Sequence, residues 1–267
     1  MSSHPSLCKT YVLNLDRHPE RLAEIGRQLN AQNIDWQRFS AVDSLNTPSK
    51  DLDQFTDDAG PIPRMGAGAR ACTVGHFLIW KNFLATGAEV AFILEDDALL
   101  SSKFKAFMSE GVNLVDKLDI LNFNRQAPRH KDKKLFVAKR SSYQCEFFTA
   151  DRLLGPHFGT AGYMITRKTA LHLIEDITRT NVPIDHLLFN PNVSEFCRKS
   201  RIFQTFPAMV RPTPESFATS IQKEKVPNAR SWPNRLRRGY YEINQAPRLL
   251  TGLVARQVKV RTLDFLP

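Results

Sequence analysis

The chain has 267 residues, 42% of them hydrophobic, and carries 37 Lys or Arg against 27 Asp or Glu for a net charge of +10. That composition supports one sizeable core and excludes a chain disordered over its main body. No window is long and apolar enough to span a bilayer, and Cys8, Cys72, Cys145 and Cys197 form no CxxC pair, which excludes a helical membrane span and a paired-cysteine zinc site.

Thr10 to Leu15 opens with β-formers and predicts a first strand, and Pro19, with apolar positions Leu22, Ile25 and Leu29, predicts the helix after it. Asp35 to Ala41 reads as a second strand, and Asp43 to Gly68, rich in Pro, Gly, Asp and Ser, as a long loop of the kind that is functional or mobile. Ala69 to Leu84 has helical spacing, and Ala91 to Leu94 is a buried strand that runs straight into Glu95, Asp96 and Asp97. Ile120 to Phe123 and Leu135 to Ala138 predict strands flanking a basic turn, Arg125 to Lys134. Gly159 to Thr166 predicts another strand, Lys168 to Ile177 the helix behind it, Pro183 the first turn of a short helix carrying Asp185, and Ile202 to Phe206 a late strand. Residues 228 to 260 hold aromatic and basic residues in short helical segments. Strands alternating with helices argue for an α/β fold, Rossmann-like, with a mostly parallel sheet covered on both faces.

Three carboxylates at one strand end repel one another unless cations or hydrogen-bond donors share the site. Hard divalent cations such as Mg²⁺ and Mn²⁺ take such oxygen ligands, with water and substrate phosphate completing the shell. A solvated strand end whose acids cap a following helix fits the local pattern equally well. Ligands of parallel α/β sheets bind beyond the carboxyl ends of the strands, and there the first strand delivers Asn14, Asp16, Arg17 and Arg21 and the second Asp43. Planar guanidinium forks suit a diphosphate and an acid suits ribose hydroxyls, which sketches a nucleotide site. Arg17 and Arg21 could also be a helix-surface pair, and Asp43 a turn residue. His76, on an otherwise apolar helix, is open between a packing and a functional role.

From Lys223 to the end, ten Lys or Arg face Glu224, Glu242 and Asp264, a net +7 of the total. Such a segment could meet nucleic acid, an anionic membrane or an acidic glycolipid, or be a solvated tail. The start, Met1 to Pro5, lacks the charged and apolar regions of a signal peptide, so a cytosolic chain is expected. The expected division is a main domain over 1–222 and a basic segment over 223–267.

Tyr11 to Arg21, the Ala41-Val42-Asp43 step, the helix bearing Cys72 and His76, the Leu94-Glu95-Asp96-Asp97 strand end, Gly159 to Thr166, and Pro183-Ile184-Asp185 resemble, in order and spacing over roughly residues 10 to 221, glycosyltransferase family 25. That family includes bacterial lipopolysaccharide galactosyltransferases and collagen galactosyltransferases. The resemblance implies a GT-A fold, a UDP-sugar donor with galactose favoured, a divalent metal (Mn²⁺, with Mg²⁺ possible) on the acidic motif, inversion at the anomeric carbon and a lipopolysaccharide or lipooligosaccharide glycan as acceptor. Two positions depart from it: Gly75 stands where the family commonly has serine, and Ser44 where it often has glycine.

On this reading Asp97 is the direct metal ligand, Asp96 shares the metal, and Glu95 faces the ribose or orders the loop. Asp185 is the candidate general base, though a carboxylate near a helix start serves the macrodipole equally well. Asn14, Asp16, Arg17, Arg21, Asp43 and His76 complete the donor site, and Tyr163 stacks on the sugar or packs against the sheet. The basic tail then reads as a segment resting on the anionic inner face of the cytoplasmic membrane, with Trp232, Tyr240 and Tyr241 as interfacial groups, and no nucleic acid is expected. The rival reading is a metal-dependent phosphohydrolase or nuclease, which would need a second acidic cluster for a second metal.

Overall fold

In strand β1 (Cys8–Asn14), Tyr11 and Leu13 point into one apolar cluster and Val12 into another, and all three are buried. Period-two alternation with both faces apolar is what a strand covered on both sides requires. The computed structural model describes residues 7–57, 60, 65–126, 133–213, 232–243 and 246–267. The predicted basic turn lies largely outside them, as do parts of the Asp43 to Gly68 loop and of the tail.

Helix α1 (Pro19–Ala31) follows, then β2 (Gln37–Ser40), the short α2 (Ser49–Leu52), α3 (Ala67–Leu84) and β3 (Val90–Glu95). Pro19 fits the first helical turn, where its missing N–H costs no bond, and Ile25 and Leu29 bury one face. Next come β4 (Ala98–Leu100), α4 (Phe104–Val112), β5 (Ile120–Asn122), β6 (Lys134–Gln144), β7 (Thr149–Leu153), β8 (Gly162–Thr166) and α5 (Arg167–Asp176). Then α6 (Ile184–Phe189), α7 (Glu195–Lys199), β9 (Ile202–Phe206), β10 (Val210–Pro212), α8 (Trp232–Ile243), α9 (Ala246–Val254) and β11 (Val258–Thr262) complete the described elements.

Nine strands form one sheet in the order β11-β6-β7-β9-β5-β8-β3-β1-β2. The pairs β1 with β2, β1 with β3 and β5 with β9 are parallel and the others antiparallel. By direction, β1, β2, β3, β5, β6 and β9 run one way and only β7, β8 and β11 oppose them, so the sheet is mostly parallel and α/β, with antiparallel strands let into it. Helices α3, α5, α6 and α7 cover one face around Phe77, Trp80, Leu173 and Phe189. The other face holds α1 and α4 and a run of ring contacts joining Phe92, Phe104, Phe107, Phe123 and Phe148.

Two departures from expectation bear on function. No helix follows the acids for them to cap: Asp96 and Asp97 form a turn into β4, which pairs antiparallel with β10 in a second, two-stranded sheet. The end of the chain is not wholly an appendage either, because β11 pairs with β6 from Val258↔Ala138 to Thr262↔Lys134 and closes one edge of the main sheet. Helical spacing in residues 228 to 260 hid that strand.

Candidate active site

A cleft of ≈ 250 Å³ opens beyond the carboxyl ends of β1 and β3, walled by Arg17, Arg21, Asp43, Cys72, Glu95, Asp96 and Asp97. Pairing of β1 with β3 brings Leu13 opposite Glu95, and the Asp96 N–H donates to the Leu13 carbonyl at 3.1 Å. Residues more than eighty positions apart in sequence thus meet at one sheet edge.

The three acids have separate surroundings. Glu95 ends β3, accepts a hydrogen bond from the Thr160 hydroxyl, and lies 3.8 Å from His76 Nε2. Asp96 accepts from Asn14 Nδ2 at 2.8 Å and pairs with Arg21 at 3.5 Å. Burial raises its carboxyl above the ordinary value despite those partners, the strain expected where carboxylates crowd. The Asp97 carbonyl accepts from Thr213 N–H at 2.8 Å, which ties the turn to the chain beyond β10.

Asn14 is 1% exposed and acts as a hub, donating also to the His18 carbonyl at 2.9 Å and accepting from Arg38 Nε at 3.0 Å. Arg17 pairs with Asp43, whose carboxylate also takes the Leu45 N–H at 3.0 Å. Burial alone would raise the Asp43 carboxyl, but the bonds from Arg17 and Leu45 and the charges of Arg17 and His18 outweigh it, and it sits below the ordinary value. Asp16 faces a neighbouring groove, pairing with Arg38 and accepting from Ser40 Oγ at 2.9 Å. Of the expected donor residues, Arg17, Arg21, Asp43, Glu95 and Asp96 line the cleft itself, while Asn14 holds it from behind.

His76 and Tyr163 are both 0% exposed and lie beneath the wall. The Tyr163 hydroxyl meets His76 Nδ1 at 2.8 Å and accepts from Trp80 Nε1 at 3.0 Å. A ring so enclosed cannot stack on a sugar, so of the two roles expected for Tyr163, packing against the sheet is the one it fills; His76 likewise reaches Glu95 rather than the cleft space. Gly75, just before His76, would place a Cβ 3.3 Å from Leu13 Cδ1. The close approach of α3 to β1 explains why the smallest residue suits that position.

Asp185, the first-turn acid of α6, accepts from Gly159 N–H at 3.0 Å and from His186 N–H at 2.9 Å. Gly159 has φ +80, a conformation L side chains rarely adopt, so the loop that Asp185 holds needs glycine there. The Cys72 thiol connects the parts: burial pushes its pKa well up, and Glu95, Asp185 and Asp97 push it further. The carboxylate from α6 therefore shares an electrostatic neighbourhood with the acids from β3. Cys72, His76 and Glu95 each bring a ligand atom within 4.8 Å of the others, a mixed sulfur, nitrogen and oxygen set, whereas Asp96 and Asp97 offer the hard oxygen donors that Mn²⁺ or Mg²⁺ takes.

The family model for glycosyltransferase family 25, described as LPS biosynthesis protein, matches residues 7–188. The chain belongs to glycosyltransferase family 25. The matched span runs from the start of β1 to the end of α6 and so contains every group described above as part of the cleft, while β9, β10 and the tail lie beyond it.

Among its family 25 relatives, a "Glycosyltransferase 25 family member" from Aedes aegypti is 25% identical over 69% of this chain and 31% of that protein. The lipooligosaccharide biosynthesis protein lic2B from Haemophilus influenzae is 27% identical over 67% of this chain and 69% of its own. The lacto-N-neotetraose biosynthesis glycosyltransferase LgtE from Neisseria meningitidis is 24% identical over 62% and 60%. The chain thus spans about a third of the Aedes protein and about two thirds of the bacterial ones.

Sequence reasoning missed Arg38, Thr160 and Gly159. Arg38 meets its partners through β2 beside β1 and Thr160 meets Glu95 just before β8 beside β3, whereas Gly159 meets Asp185 of α6 across loops. No local spacing encodes those neighbours.

Proposed function

We propose that this family 25 chain transfers a sugar from a UDP-sugar to a hydroxyl of a lipopolysaccharide or lipooligosaccharide glycan, with galactose as donor sugar and inversion at the anomeric carbon. The observation that carries the reading is one cleft wall in which Glu95, Asp96 and Asp97 from the end of β3 stand with Arg17 and Arg21 from beyond β1. The carboxylates suit a cation and the guanidinium groups interleaved with them suit a diphosphate.

Asp97, with Asp96 beside it, would hold Mn²⁺ or Mg²⁺, which when bound supplies charge neutralisation for the departing diphosphate. Glu95, tied to Thr160, fixes the turn that presents those two carboxylates. Arg21, paired with Asp96, and Arg17, paired with Asp43, can each turn a guanidinium fork to phosphate oxygens when the donor enters. Asp185 takes the proton of the acceptor hydroxyl, its carboxylate held in position by two backbone N–H groups.

The test is UDP release measured with a panel of UDP-sugars, with and without Mn²⁺. Asp97→Ala is expected to lose at least about a hundredfold in kcat, since Lewis-acid stabilisation is worth several kcal/mol. Asp185→Asn is expected to lose about 10²–10⁴-fold while keeping its donor affinity. Activity that needs no metal, or that survives Asp97→Ala, would sink the proposal.

A further inference from the structure

Of the ten large hydrophobic residues exposed on the described surface, six lie in α8 and α9. In α8 they are Trp232, Leu236, Tyr240 and Ile243, exposed by 54–72% and spaced by four, four and three residues, so they stand on one side of the helix. In α9 they are Leu250 and Val254, again one turn apart. Stripes of this kind pack against something in nearly every soluble protein, and here they face solvent.

Helix α9 is anchored. Gly252 lies on the side of α9 away from Leu250 and Val254, and a Cβ there would stand 2.5 Å from Val258 Cγ2. That close approach seats α9 against the start of β11, which is itself hydrogen-bonded into the main sheet. One face of α9 is therefore anchored, and the apolar residues are left on the other.

The charge nearby has one sign. From Trp232 to Arg256 the sequence holds five arginines and one acid, Glu242. Beneath α9 lies a cleft of ≈ 520 Å³ lined by Arg140, Arg152 and Arg198 together with Leu249 and Thr251, with no acid in its wall among the described residues. Further along the tail, Lys259 and Arg261 are used inside the fold, where both pair with the buried Asp151. Of the net +7 of the tail, +4 thus falls in the same part as the apolar stripes.

We infer that α8 and α9 form an interfacial platform for an anionic lipid bilayer, with the stripe residues entering the headgroup boundary and the positive charge of the same segment drawing it to anionic headgroups. An apolar stripe in an arginine-rich stretch of sequence matches a surface that is apolar beneath and anionic above, whereas a second protein copy would bring the same positive charge and repel. No helix of the described residues is long and apolar enough to cross a membrane, so the platform would lie on the bilayer rather than span it. This inference does not depend on sugar transfer.

The experiment is co-sedimentation of the full chain with vesicles of phosphatidylcholine alone or mixed with phosphatidylglycerol, at low and high salt. Binding is expected to the mixed vesicles, weakening with salt. A Trp232→Ser, Tyr240→Ser, Ile243→Ser variant is expected to lose at least about tenfold in partitioning. If the triple variant fails to fold, quenching of tryptophan fluorescence by brominated lipid in the natural chain, and its loss in Trp232→Phe, tests insertion directly. The inference is overturned by absent binding at low salt, by a triple variant that binds as well as the natural chain, or by no quenching. It is equally overturned if light scattering shows a dimer that the triple variant abolishes, or if the chain binds oligonucleotide but no vesicle.

Discussion

The two edges of the main sheet use the same residue types in opposite ways. At the β2-β1-β3 edge, Arg38, Arg17 and Arg21 each have an acid, Asp16, Asp43 and Asp96 in turn, and Asn14 joins two of these pairs. At the β11-β6-β7 edge, Lys259 and Arg261 share a single buried acid while Arg140 and Arg152 line a cleft that has no acid among the described residues. Balanced pairs hold a cleft in shape and can be exchanged for a ligand of mixed charge. An unbalanced edge attracts anions at a distance but shapes nothing by itself. The difference separates a site built for chemistry from a surface suited to attachment.

The largest expected effect tests whether the tail edge is part of the fold. Asp151 is 0% exposed, and replacing Lys259 and Arg261 together by Ala would leave a buried carboxylate without its cations. A loss of about 3–5 kcal/mol in urea unfolding is expected, because an uncompensated buried charge keeps its desolvation cost. Adding Asp151→Asn to that double variant should restore most of it. A double variant as stable as the natural chain would mean β11 is a dispensable appendage, and the contrast between the edges would lose its structural basis.

Next in size is Asn14→Ala at the other edge. It removes the donor to Asp96 and the acceptor for Arg38, all in a largely buried setting, and is expected to cost about 1–3 kcal/mol. On the proposed function it should also weaken donor binding, since Asp96 loses the bond that aims it, so KM for the UDP-sugar should rise more than kcat falls. Equal stability, with KM unchanged, would mean that the cleft does not depend on its hub.

How much of this was legible before folding differs between the edges in the same way. The acid-tipped β3, the Asn14 to Arg21 run and Asp43 stand out because each motif is contiguous and follows an apolar run, and the strand rules then place them at one sheet end. Pro183 and Asp185 were visible as a helix start, but the hold of Asp185 on Gly159 was not, because it crosses between loops. His76 and Tyr163 were recognisable as residues of interest, yet their depth is set by α3 packing on β1 and by β8 pairing with β3, which no one-dimensional pattern carries. The tail edge was hardest. Val258 to Thr262 alternates polar and apolar residues as a strand should, but it is short and follows two amphipathic helices whose period dominates the window.

The smallest expected effect concerns how the balanced edge is held, and it depends on pH. Arg17 and Asp43 side chains are 32% and 17% exposed, so their pair contributes about 1 kcal/mol or less and Arg17→Ala should lower Tm by roughly 2 °C or less at neutral pH and low salt. The sign follows from Asp43, whose carboxyl in the folded chain lies below the 3.8 of a free aspartate. Between those two values the unfolded chain binds the proton and the folded chain does not, so stability from the pair is complete above 3.8 and is lost as pH falls through the folded value. The Tm difference between the natural chain and Arg17→Ala should therefore be flat at neutral pH, close in acid, and shrink in high salt. A difference that persisted unchanged into acid would mean that Arg17 supports the cleft through the packing of its stem rather than its charge. The arginine would then have no pre-formed bond to exchange for a diphosphate, and the comparison between a charge-balanced cleft and a charge-surplus edge would fail on its own side.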